Sequence, residues 1–223
     1  MTGARLIPVR APAQPEGVVL VLHGGASRGE RAMVSPAQVS VLRMVPVAHR
    51  IARAGGSRLV VHRLLNSHRG WDTRTTPVMD VAWALARVAR QHGDVPVALV
   101  GHSLGGRAAL LGGSDPQVRS VVALNPWVHP TDRVDLAGRR VLVIHGTEDR
   151  IALPSRSAEL AHRISATARV GYVPVPGARH AMVRHGRTFE TYAADFVAAT
   201  LLGITPRSDA VAAVLDGQAY VQG

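Results

Sequence analysis

Short apolar runs recur along the chain, separated by stretches whose apolar positions fall three or four residues apart. Gly17–Leu22 is a continuous run of Gly, Val and Leu, the mark of a strand buried on both faces. Arg58–Leu65, Val95–Val100, Arg119–Leu124, Arg140–His145 and Val170–Val175 predict further strands. Arg5–Val9 predicts an edge strand, because Pro8 cannot donate to a ladder. Helical spacing runs through Gln38–Ala54 (Val41, Met44, Val45, Ala48, Ile51), with Pro46 arguing for a kink or a late start. Pro77–His92, Leu104–Leu111 and Arg187–Leu202 predict helices, as does Ser155–Ala168 with Ser155 as its N-cap. A short helix is expected at Asp209–Leu215.

Strands and helices alternate, so the expected fold class is α/β, a doubly wound and mainly parallel sheet with helices on both faces. Residues 1–223 read as a single domain with a core over about 5–203 and a C-terminal tail over 204–223. Neither an internal repeat nor a low-complexity linker divides the sequence.

One bend carries chemical promise. The run Val95–Val100 ends at Gly101, and the helix beginning at Leu104 leaves Ser103 between them, in the pattern Gly-His-Ser-Leu-Gly. Such a sharp strand-to-helix turn strains its middle residue and pushes that side chain clear of the backbone. The turn also aims the first free N–H groups of the helix at whatever sits on Ser103.

In an open parallel sheet, ligands collect beyond the carboxyl ends of the strands. Four such ends here carry reactive or loop-forming residues: Gly24-Gly25, Ser103, Asp149 and His180. Ser103 needs a base within reach, and His180 is the natural candidate, ahead of His185 at the start of the next helix. His102 adjoins the serine but is expected to point away from it and to pack. Asp149 would hold the far nitrogen of His180, with Asp132 and Asp135 as alternatives and Glu148 facing elsewhere. The oxyanion donors are expected to be the N–H of Leu104 and that of Gly25, with Ala26 second. His23 reads as a brace for that loop. Trp71, Trp127 and His68 follow strands on the same rim and are candidate walls of a substrate pocket.

Composition narrows the class. With 47% hydrophobic and 18% charged residues, the chain is globular, neither disordered nor built around a membrane span. No apolar stretch approaches the ~18 residues that a span needs. No signal peptide is read at the N-terminus, and the absence of cysteine removes disulfides and thiol chemistry, so a cytoplasmic location is expected. All 26 Lys or Arg residues are Arg, giving a formal net charge of +11. They are scattered singly, without a massed block or interleaved aromatics, so no nucleic-acid partner is expected. Nothing in the pattern points to a particular oligomeric state.

Together, His23-Gly24-Gly25, Gly101-His102-Ser103-Leu104-Gly105-Gly106, His145-Gly146-Thr147-Glu148-Asp149 and Gly177-Ala178-Arg179-His180 resemble the motifs of the α/β-hydrolase superfamily. The order Ser, Asp, His is also the one that family uses. The resemblance implies cofactor-free acyl transfer, with neither cofactor nor metal. Many members insert a helical lid before the acid-bearing strand, whereas His129–Arg139 has room only for a turn. The chain therefore looks more like small lidless esterases or the dienelactone-hydrolase-like branch, although that branch commonly uses Cys where Ser103 stands, so a lactone substrate is not carried over. What the resemblance implies is a serine hydrolase cleaving a small-molecule carboxylic ester or thioester through an acyl-enzyme. A peptidase, acyltransferase or lyase would use the same residues, and a non-catalytic ligand-binding protein is the alternative from another class.

Overall fold

The computed structural model describes residues 3–25, 33–71 and 75–221. Its strands are β1 (Arg5–Arg10), β2 (Gly17–Leu22), β3 (Leu59–Leu65), β4 (Val97–His102), β5 (Val118–Leu124), β6 (Arg140–Gly146) and β7 (Arg169–Val175). They form a seven-stranded sheet in the order β1-β3-β2-β4-β5-β6-β7. Only β1 runs antiparallel, pairing with β3 at the edge, with a register shift between Pro8 and Arg10. The remaining pairs are parallel.

Alternation along each strand sends side chains to two separate cores. Val18, Leu20 and Leu22 of β2 join Val97 and Leu99 of β4 on one face. There they pack against α3 (Thr76–His92), α4 (Leu104–Gly112) and α5 (Pro154–Ile164). Val19, Val21, Ala98 and Val100 point the other way, toward α2 (Met44–Gly55), α6 (Gly186–Leu202) and α7 (Asp209–Leu215). Burial on both faces explains why these strands read as unbroken apolar runs rather than alternating ones.

The segment predicted as one helix over Gln38–Ala54 is two: α1 (Val39–Leu42) and α2, with Arg43 between them. Pro46 lies in the first turn of α2, where its missing N–H is not required. For α5 the N-cap is Leu153 rather than Ser155, because Pro154 occupies the first turn. That helix ends at Ile164, four residues short of the expected Ala168, in a turn where Ser165 Oγ donates to the His162 carbonyl. After residue 203 the chain returns to the sheet. Val211 and Val214 of α7 are buried, the Val221 N–H donates to the Tyr172 carbonyl, and Tyr220 stacks on Tyr172.

The strand order reverses at β2, since β3 lies on one side of it and β4 on the other. Connections leaving β2 and β4 diverge there, and the crevice between them is where an open α/β sheet collects its ligands. Beyond β4 the backbone turns into α4 at Ser103, whose φ of 56° and ψ of −120° lie outside the regions that L residues ordinarily occupy. Gly101 and Gly105 allow that turn. A Cβ on Gly101 would lie 2.1 Å from the Gly105 carbonyl oxygen, and one on Gly105 would lie 2.5 Å from the His23 carbonyl oxygen. Both obstacles are backbone, so neither can move aside.

Gly101→Ala is therefore expected to lower unfolding stability by about 3 kcal/mol or more. Gly56→Ala, at a positive-φ position with open space around it, should cost only about 1–2 kcal/mol. Urea unfolding of the two variants checks this, and equal midpoints would contradict the packing argument.

Candidate active site

Three strand ends deliver side chains to one chain of hydrogen bonds. His180, in the loop after β7, places Nε2 2.9 Å from Ser103 Oγ and Nδ1 2.7 Å from Asp149 Oδ2. An ionised carboxylate only accepts, so the His180 proton sits on Nδ1 and the Nε2 lone pair faces the serine hydroxyl. Asp149 is anchored in turn, its Oδ1 accepting the backbone N–H groups of Ile151 (2.8 Å) and Ala152 (2.9 Å). The Asp149 side chain is fully buried, while that of His180 keeps 11% of its surface exposed.

Electrostatics follow from those contacts. Burial by itself would raise the Asp149 pKa. Hydrogen bonds from His145 and His180, joined by the Ala152 and Ile151 N–H groups, outweigh it and hold the carboxyl well below its ordinary range. His102 is buried beneath the site and pushed down to about 3, first by desolvation and then by the nearby His180. It is therefore neutral, and its Nε2–H donates to the His180 carbonyl at 2.8 Å. Through that bond it also braces the loop that carries the imidazole.

The turn after β2 packs directly on the bend. A Cβ on Gly24 would lie 3.2 Å from Ser103 Cβ, and one on Gly25 would strike the Arg69 carbonyl oxygen at 2.3 Å. Only bare backbone fits between the bend and the Asn66–Trp71 loop. Leu104 is the first residue of α4, so its N–H is one of the helix donors without an intrahelical partner. Ala26 lies outside the described residues. His23 braces this turn: its Nδ1–H donates to the Gly24 carbonyl at 2.6 Å and its Nε2 accepts the Asn66 N–H at 3.1 Å.

The other residues singled out in the sequence have partners of their own. The Asp132 carboxylate accepts both Nε (2.8 Å) and Nη2 (2.5 Å) of Arg107. Asp135 Oδ1 accepts the Ala137 N–H within its own turn, and Glu148 meets Arg179 at the surface. His185 is the N-cap of α6, beside the Gly177 turn. What joins Trp71 and Trp127 is Arg107, whose guanidinium carbon lies 4.2 Å and 5.5 Å from the two ring centroids. His68 meets Ser67 Oγ at 3.2 Å through Nδ1.

Two supporting residues escaped the sequence reading. Asn125, with φ of 42°, accepts the Gly146 N–H (2.8 Å) and donates to the carbonyls of Arg179 (3.2 Å) and His180 (3.1 Å). It ties the ends of β5 and β6 to the histidine loop. Asp80 of α3 accepts the Ser67 N–H at 2.8 Å and also binds its hydroxyl, fixing the loop after β3. The available signal was a polar residue at the end of an apolar strand in one case, and on the apolar stripe of a helix in the other.

A buried, oriented carboxylate, an imidazole with its free lone pair on a hydroxyl, and a helix N-terminus beside that hydroxyl can together move a proton and stabilise an oxyanion. Residues 64–140 match a family model described as the alpha/beta hydrolase fold. No curated protein matches the chain. Among solved structures, a putative alpha/beta hydrolase from Agrobacterium tumefaciens is similar at a TM-score of 0.67 and 17% identity, over 92% of this chain and 94% of that one. An alpha/beta serine hydrolase without lid from Xanthomonas campestris gives 0.59 and 19%, over 85% and 84%. An esterase from Pyrobaculum calidifontis gives 0.65 and 16%, over 89% and 85%. At such identities the likeness is one of fold.

Two measurements test the geometry. Asn125→Gly removes the side-chain bonds while tolerating positive φ, and should lower unfolding stability by about 2 kcal/mol or more, since the Gly146 N–H is left buried and unpaired. The depressed Asp149 pKa stabilises the fold above the unfolded carboxyl value of 3.8, and that contribution is lost as pH falls through the folded value. The stability gap between wild type and Asp149→Asn should thus hold steady from about pH 8 to 5 and narrow below about pH 4.

Proposed function

With an α/β-hydrolase fold and no helix between β5 and β6 as premise, we propose that the protein is a serine hydrolase that cleaves a carboxylic ester through an acyl-enzyme on Ser103. The observation that carries this reading is the unbroken hydrogen-bonded sequence Ser103–His180–Asp149, assembled from the ends of three different strands.

In this mechanism His180 Nε2 takes the hydroxyl proton as Ser103 Oγ attacks the ester carbonyl. The tetrahedral oxyanion is met by the Leu104 N–H and by Gly25 in the turn packed against the bend. Collapse expels the alcohol, which leaves with the proton held on Nε2, and the acyl group remains on Oγ. A water molecule then repeats the attack with His180 again as base, releasing the carboxylic acid and restoring Ser103. Asp149 keeps the His180 proton on Nδ1 and stabilises the imidazolium that forms in each half. A thioester would follow the same path with a thiol leaving group. The short β5–β6 connection leaves the site without a helical cover on that side, which suits a small or accessible acyl group.

The test pairs labelling with turnover. A fluorophosphonate should label the wild-type protein and fail on Ser103→Ala. Hydrolysis of p-nitrophenyl acetate, butyrate and octanoate should fall by roughly 10³-fold or more in Ser103→Ala and His180→Ala, with Asp149→Asn keeping a small residual rate. kcat/KM should rise with pH through the imidazole range, about pH 6 to 7. A His180→Ala protein as active as wild type would overturn the base assignment. Amide and acyl-acceptor panels separate peptidase and acyltransferase activity from ester hydrolysis.

A further inference from the structure

Asp149 Oδ2 faces a second imidazole that the mechanism does not use. His145, at the end of β6 and fully buried, places Nε2 3.2 Å from that oxygen and 2.9 Å from the Ala152 carbonyl oxygen. Both neighbours only accept, so Nε2 carries the proton and donates to the pair of them. Ser157 Oγ of α5 lies 2.6 Å from Nδ1. Ser157 Oγ also donates to the Pro154 carbonyl at 2.9 Å, and the Tyr172 hydroxyl donates to the same oxygen at 3.2 Å.

We propose that His145 is a positioning residue for the base: its Nε2–H shares Asp149 Oδ2 with His180 Nδ1–H and thereby weakens the carboxylate's hold on a protonated His180. This inference rests on the acyl-transfer reading and deepens it. The physical reason is competition. One carboxylate oxygen divided between two N–H donors concentrates less negative charge on either, so the imidazolium of His180 is stabilised less than by an unshared oxygen. The base is thereby left free at lower pH. The groups facing His145 are Asp149, Ser157 and, through Ser157, Tyr172. His180 is faced by Asp149, Ser103 and the neutral ring of His102, whose centroid is 4.9 Å away. Arg43 contributes a weaker positive field at His102.

His145→Leu removes the donor at nearly constant volume and leaves the Ser157 hydroxyl on the Pro154 carbonyl, to which it already donates. The ascending limb of the kcat/KM–pH profile should move to higher pH by roughly half a unit to one unit. That shift gives about a three- to tenfold loss at pH 6 and little loss at pH 9. His145→Gln, which keeps an N–H at similar reach, should return the limb toward wild type. A limb that stays put in His145→Leu, or that moves equally in both variants, overturns the proposal, since a merely structural role would lower kcat without moving the profile. If His145→Leu does not fold, ¹⁵N-histidine spectra of the wild-type protein decide: the proposal expects His145 protonated on Nε2 throughout the neutral range, and a ring lacking that proton overturns it. Neither arm is confused with failure of the functional reading, which shows as a wild-type protein without Ser103-dependent labelling.

Discussion

The bend at Ser103 is the constraint on which the site depends. Its positive φ costs conformational energy of order 1–3 kcal/mol, and such a residue persists only where its surroundings over-determine it. Here they do. The Ser103 N–H donates to the Leu124 carbonyl of β5, while its own carbonyl accepts the N–H groups of Arg107 and Trp127. Gly101 and Gly105 let β4, α4 and the turn after β2 close to backbone contact. The result is a hydroxyl lifted off the strand end at the place where the sheet order reverses.

Around that fixed point the remaining parts are aligned by polar cross-braces rather than by the apolar core. His180 sits on a loop, and loops are not held by sheet packing. Asn125 grips its backbone from β5, and His102 grips it from β4. Asp149 is held by two N–H groups of its own turn and by two imidazoles. Buried and fully partnered, its carboxylate stays charged, and that charge is what an imidazolium forming on His180 would meet. Each brace is buried, so each polar group would be costly to leave without its partner. The same interactions that fix the geometry therefore also set the electrostatics.

Much of this was legible in the sequence because it depends on local pattern. Strands buried on both faces betray themselves as unbroken Val and Leu runs, and the Gly-His-Ser-Leu-Gly bend follows from steric rules within five residues. The division of Gln38–Ala54 at Arg43 was legible only as the kink or late start that Pro46 signals, since both halves carry helical spacing. Choosing among Asp149, Asp132 and Asp135 was likewise beyond periodicity. They differ in partners far along the chain, Arg107 for Asp132 and His180 for Asp149. Asn125, whose partners are Gly146, Arg179 and His180, was hidden for the same reason, whereas His145 meets Asp149 only four residues on, across a turn that no periodicity predicts. Each ends an apolar strand, and nothing beside them in sequence tells what they bind.

The central claim is that one hydroxyl, one imidazole and a set of main-chain donors converge on a single reacting centre. A crystal structure of the protein after reaction with a small alkyl phosphonate tests it most directly. The account predicts phosphorus bonded to Ser103 Oγ, with one phosphoryl oxygen accepting the Leu104 and Gly25 N–H groups and the His180 ring facing the leaving-group side. Phosphorus on another residue, or a phosphoryl oxygen turned away from those N–H groups, would contradict it.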